Sequence, residues 1–178
     1  MIIILRRVVA FFAIISALCM TVPATSQLAY LQCAPFARAE TGIQLFGPAR
    51  DWWANAVGHY ARGSTPRDGA VMHFPASHGM PGGHVAVVTR IVSDREVMLT
   101  HANWSPINGR RGQIERNVRA VDVSAAGDWS EVRVWYAPIH DLGLRTNRVS
   151  GFIYPAAAAP DSGQTSVTLA DIAASVAS

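Results

Sequence analysis

Two apolar runs, GHVAVVTRIV at 83–92 and EVMLTHANW at 96–104, are separated only by Ser93-Asp94-Arg95. A parallel pair needs a crossover of a dozen or more residues, so these runs can pair only as an antiparallel hairpin turning near residue 94. Other strand-like runs stand at 70–74 (AVMHF), 114–123 (IERNVRAVDV) and 131–139 (EVRVWYAPI). Upstream the character is helical. Residues 34–40 form a first helix, with Pro35 tolerable only in its first turn, where a missing N–H costs nothing. GPARDWWANAVGHYA at 47–61 predicts a second, with Trp53, Ala56, Val57 and Tyr60 on one face. RGSTPRDG at 62–69 is turn-rich. Helices first and close-spaced strands afterwards predict an α+β fold, its N-terminal helices packed on one face of an antiparallel β-sheet.

The chain has 178 residues, half of them hydrophobic, which suits one domain with a real core. Residues 1–26 read as a secretory signal peptide. Arg6 and Arg7 supply positive charge, Val8 to Val22 an apolar run, Pro23 a break, and Ala24-Thr25-Ser26 small residues before a cleavage point. If uncleaved, this segment is a membrane anchor, the one membrane contact expected. Cys19 leaves with the signal; Leu18 stands where a lipoprotein needs a small residue. Residues 27–155 form the domain, and 156–178, rich in Ala and Ser, a flexible low-complexity tail. All 15 basic side chains are arginine. Without Arg6 and Arg7, 13 arginines face 12 acids, and no basic block reads as a nucleic-acid patch. The expected location is secreted or periplasmic, and the expected state a monomer.

Removal of the signal leaves Cys33 alone. In an oxidising compartment structural cysteines come in pairs, so a single one is an intermolecular bridge, an inert buried thiol or a reactive thiol. Cys33 stands at the predicted start of the first helix, beside Pro35, where the helix N-terminus favours a thiolate. A base must come from one of six histidines. His84 follows Gly82-Gly83 and opens a strand, where close backbone approach is possible. His101 and Asn103 share one face of the next strand. A hairpin about residue 94 sets partners whose numbers sum to about 188, which puts His84 near residue 104 and both candidates within a neighbouring or diagonal position. Such a group can orient an imidazole through its second nitrogen. His59, His78 and His140 read as structural or exposed, and His73 as a residue that could line a cleft. A zinc site from His73, His78 and His84 matches no familiar ligand spacing. The tryptophans are core by default, although Trp104 could form a wall of the site.

Four segments, in order, resemble the CHAP domain, the cysteine- and histidine-dependent amidohydrolase/peptidase family of the papain-like superfamily. YLQCAPFA resembles its Gly-Gln-Cys helix start, with Leu31 in place of Gly. GPARDWWANA resembles its Gly-Asn-Ala-x-x-Trp helix, and TPRDGAVMHF its Pro…Gly-Asp-Ile-Ala-Val-Phe strand. GGHVAVVTRIVSDREVMLTHANW resembles its His strand and the following strand ending Glu-x-Asn. The resemblance implies a papain-like fold, Cys33 as nucleophile and His84 as general base. Where the family has Glu this chain has His101, while Asn103 is retained; either can be the third member. The implied substrate is peptidoglycan, cut at the N-acetylmuramoyl-L-alanine amide or at a peptide bond of the stem or crossbridge. Backbone N–H groups at the helix start would hold the oxyanion, with Gln32 or Tyr30 adding a donor. No metal or other cofactor is needed, and no Asp-x-Asp calcium cluster occurs. The alternative is a non-catalytic CHAP-like module that binds cell wall.

Overall fold

The computed structural model describes residues 31–155. The signal segment 1–26, Tyr30 and the tail 156–178 lie outside the described residues. The first helix, α1, spans Cys33–Thr41. Gln32 is its N-cap and Pro35 sits in the first turn. Gly42, at φ 73°, ends it by donating its N–H to the Arg38 carbonyl at 2.9 Å.

The second helix is much shorter than the apolar spacing suggests. A 3₁₀ turn at Ala49–Asp51 runs into α2, Trp52–Asn55, and the chain then breaks into turns. Its buried residues are Trp52 and Ala56, whereas Val57 is exposed. The expected face of Trp53, Ala56, Val57 and Tyr60 is therefore corrected. The 3₁₀ entry rotates the helix and Gly58, at φ 77°, ends the run.

All five expected strands form and four short ones join them. In chain order they are β1 (Arg62–Gly63), β2 (Val71–Phe74), β3 (His84–Ser93), β4 (Glu96–Ala102), β5 (Ile114–Asp122), β6 (Glu131–Tyr136), β7 (Asp141–Leu142), β8 (Asn147–Arg148) and β9 (Gly151–Ile153). The sheet runs β1-β9-β2-β3-β4-β5-β6-β7, with β8 also on β6, and every pairing is antiparallel. The last strand thus inserts between β1 and β2, one strand in from the sheet edge.

The first half of β3 is buried on both faces. Val85 and Val87, with Val71 and Ile153, pack against Ala34 and Ala37 of α1 and against Ile43, Leu45 and Trp52. Ala86 and Val88 turn the other way, into a cluster with Met72, Phe74, Leu99, Val134 and Phe152. Burying each such Val, Leu or Phe contributes roughly 1.5–3 kcal/mol. This two-sided packing fixes the end of β3 at which His84 stands.

The β3–β4 hairpin turns through Asp94-Arg95, as its sequence predicts, with Ser93 opposite Glu96. Its register departs from the simple count. Bulges lie between Val88 and Arg90 and between Ile91 and Ser93, so Val87 faces Thr100 and Val88 faces Leu99. Each is one residue off the register centred on 94. A one-residue shift exchanges the faces of a strand. Continued to the start of β3, the observed register aligns His84 with Asn103 and puts His101 on the same face, diagonal to His84.

Candidate active site

Cys33 is the first residue of α1 and is 8 % exposed. Its sulfur is approached by the backbone N–H groups of Val85, Ala34 and Cys33 itself. Val85 follows His84, so α1 is docked against the very start of β3. Burial pushes the thiol pKa up, and these N–H groups offset only part of that. The expectation that the helix start favours a thiolate is therefore outweighed in the resting protein: desolvation wins and the thiol keeps its proton.

His84 is almost wholly buried, between Phe74 and Trp104, whose ring centroids lie 5.7 and 4.9 Å from its own. Its Nε2 meets His101 Nδ1 at 3.0 Å. Burial holds His84 well below the ordinary value of 6.5, and the charges of His101 and Arg111 act in the same direction. Burial also holds His101 down to about 3. Both rings are neutral at pH 7. With Nε2 committed to His101, Nδ1 is the nitrogen of His84 available to take a proton from a thiol. That requires His84 to carry its hydrogen on Nε2 and donate it to His101 Nδ1.

Trp104 stacks on His101 at 5.5 Å and anchors its own Nε1–H on the Trp135 carbonyl at 3.0 Å. It forms the wall that its position suggests. Asn103 takes the left-handed backbone conformation, φ 66°, and donates its N–H to the Gln113 carbonyl at 2.9 Å. Its Nδ2 donates to Gln32 Oε1 at 3.0 Å. Asn103 therefore holds Gln32 beside Cys33, and leaves the Gln32 amide nitrogen free to donate. The Leu31 N–H bonds to the Gly112 carbonyl at 3.0 Å, fastening the lead-in to α1 against the β4–β5 connection.

These groups share one cleft of about 930 Å³, lined among others by Gln32, Cys33, His84, Asn103 and Trp104. Arg38, Arg111 and Arg145 also line it, and among the described residues no Asp or Glu does. Five of the residues singled out from sequence are thus brought together directly, and His101 stands behind His84. Tyr30 lies outside the described residues. His59, His78 and His140 are exposed, as expected. His73 does not line the cleft. It is buried, 3.0 Å from the Ala49 carbonyl through Nε2, and stacked on Trp53, where it ties β2 to the 3₁₀ turn.

Glu115 was not legible from sequence. It lies in β5 opposite His101, only 6 % exposed, with Oε2 3.8 Å from His101 Nε2. Its neighbours Ile114 and Arg116 are exposed. A bulge between Leu99 and His101 sets Thr100 of β4 against Arg116 and Asn117 of β5, and turns the carboxyl inward. No motif marks such a residue; only the pairing register does.

No curated protein matches the chain. Residues 23–103 match the family model described as CHAP domain, a span that holds Cys33, His84, His101 and Asn103 and stops before β5. The order of the four motifs, the gathering of their residues at one cleft and this match agree: over residues 23–103 the chain is similar to the CHAP domain.

Proposed function

We propose that this protein is an exported thiol hydrolase that cleaves an amide bond of peptidoglycan, either the N-acetylmuramoyl-L-alanine amide or a peptide bond of the stem or crossbridge. The carrying observation is the sharing of one cleft by the helix-start thiol of Cys33 and by His84, whose ring is backed by His101. The fold is read as papain-like. In the reaction Cys33 Sγ attacks the carbonyl carbon while its proton passes to His84 Nδ1. The N–H groups at the start of α1 and the Gln32 amide hold the oxyanion. His84 returns the proton to the leaving amine, and water then hydrolyses the thioester. Because the resting thiol and imidazole are both neutral, proton transfer accompanies attack rather than preceding it.

The arginine lining supports a substrate bearing free carboxylates, as stem peptides do. Residues 1–26 act as the export signal, cleaved or kept as an anchor; the protein is secreted or periplasmic and works as a monomer. The test is digestion of purified peptidoglycan followed by mass spectrometry of the released fragments. One class of newly opened amide is expected, with intact glycosidic bonds. Binding to the wall without release of fragments would overturn the reading in favour of a non-catalytic wall-binding module.

A further inference from the structure

We infer that Glu115 is a positioning residue for the catalytic histidine, acting through His101, so that the site is a relay of Cys33, His84, His101 and Glu115. The inference rests on the thiol mechanism proposed above and adds to it a residue that lies beyond the family match.

Hydrogen placement drives the case. For His84 to accept a proton at Nδ1 its own hydrogen must sit on Nε2 and be donated to His101 Nδ1. A neutral His101 that accepts at Nδ1 must carry its hydrogen on Nε2. That nitrogen is fully buried and has no hydrogen-bond partner among the described residues. The polar atom it approaches is Glu115 Oε2, at 3.8 Å. This is longer than a hydrogen bond, so in the resting site the carboxylate acts by its charge. Its position is set independently: Oε2 accepts the Ser105 N–H at 2.8 Å, and the Ser105 hydroxyl oxygen in turn accepts the Ala137 N–H at 3.1 Å. The other oxygen, Oε1, is buried and has no hydrogen-bond partner among the described residues. A carboxylate with an open oxygen, beside an imidazole with an unspent N–H, is expensive unless the pair has a use.

That use arises when His84 becomes an imidazolium during attack. His101 holds its tautomer but adds no charge. Glu115 supplies the missing negative charge one residue further back. The charged or titratable groups around His84 are Cys33 from α1, His101 from β4 and Arg111 from the β4–β5 connection. Arg111 opposes the imidazolium, so Glu115 is the negative group on its side. The two contacts and the width of one ring put the carboxylate within about 9 Å of His84. At an effective dielectric near 20, that favours the imidazolium on the order of tenfold.

The test compares wild type, Glu115→Gln and Glu115→Asp by two readouts that need no substrate. One is the rate of Cys33 alkylation by iodoacetamide at neutral pH; the other is an NMR titration of His84. Glu115→Gln is nearly isosteric and can still accept the Ser105 N–H, so the fold is kept. It should slow alkylation about tenfold. Without the carboxylate the imidazolium is less favoured, so His84 should take up its proton at lower pH than in wild type. Glu115→Asp keeps the charge and should fall between the two. A Gln variant that matches wild type in both readouts overturns the inference. The expected shifts alongside a wild type inert on peptidoglycan would overturn the proposed substrate and leave the relay standing.

Discussion

Gly83 should be the least replaceable residue of the loop that delivers His84, and its neighbour Gly82 an internal control. Gly83 has φ +66°, and a Cβ built on it would lie 2.6 Å from Arg50 N, 2.7 Å from Arg50 Cα and 2.8 Å from the Phe74 carbonyl oxygen. All three are backbone atoms, which cannot swing aside. The left-handed conformation costs about 1–2 kcal/mol for a residue with a Cβ. Relieving the overlap costs roughly 1–3 kcal/mol more. Stiffening the unfolded chain returns about 0.4–1 kcal/mol. The expected net loss for Gly83→Ala is about 1–5 kcal/mol, a sizeable part of the about 5–15 kcal/mol that holds a domain together. At Gly82 a Cβ would meet nothing within 4 Å, and φ is not in the left-handed range. Gly82→Ala should therefore change stability by no more than about 1 kcal/mol, in the stabilising direction. Urea unfolding followed by circular dichroism measures both. The same displacement moves β3 off the 3₁₀ turn, so Gly83→Ala should also lose peptidoglycan hydrolysis beyond its loss of folded protein. Equal unfolding midpoints for the two variants would refute the close-approach explanation of this loop.

His101→Ala should slow hydrolysis on the order of 10²-fold, because His84 loses the group that fixes its tautomer. Asn103→Ala should cost less, since Asn103 touches Gln32 rather than His84; the reverse ranking in kcat would make Asn103 the third member. Stability should also fall in acid. His101 titrates at about 3 in the folded protein against an ordinary 6.5, so between those values the unfolded chain binds the extra proton. Stability from this residue is complete above about pH 6.5 and declines by about 1.4 kcal/mol per pH unit as pH falls towards 3. His84 and His73, also held low by burial, act in the same sense. A urea midpoint that stays level from about pH 7 to about pH 4 would contradict this.

The parts of the fold readable from sequence were those set by local rules. The β3–β4 hairpin follows from two apolar runs separated only by Ser93-Asp94-Arg95, and α1 from a proline that fits only a first turn. The parts that escaped depend on distant pairing. Gly151-Phe152-Ile153 is too short to show alternation, yet it becomes β9 between β1 and β2. The tryptophan pair reads as a long amphipathic helix, but a 3₁₀ turn and Gly58 leave four residues of α-helix. The candidate site divides in the same way. Cys33, His84, His101, Asn103, Gln32 and Trp104 carry signals of type and spacing. His101 reaches the face of His84 because of bulges in β3, and Glu115 reaches His101 because of a bulge opposite β4. The position of Cys33 at a helix start was legible, but its protonation was not, since burial depends on what α1 packs against.

The central claim, that Cys33 is the nucleophile of a peptidoglycan hydrolase, is tested most directly by release of soluble fragments from purified cell wall by wild type and Cys33→Ser. The substitution is nearly isosteric, so circular dichroism spectra should superimpose. Wild type should release fragments and lose that activity on treatment with iodoacetamide. Cys33→Ser should release none above the untreated wall. Fragment release by the serine variant at the wild-type rate would contradict the account.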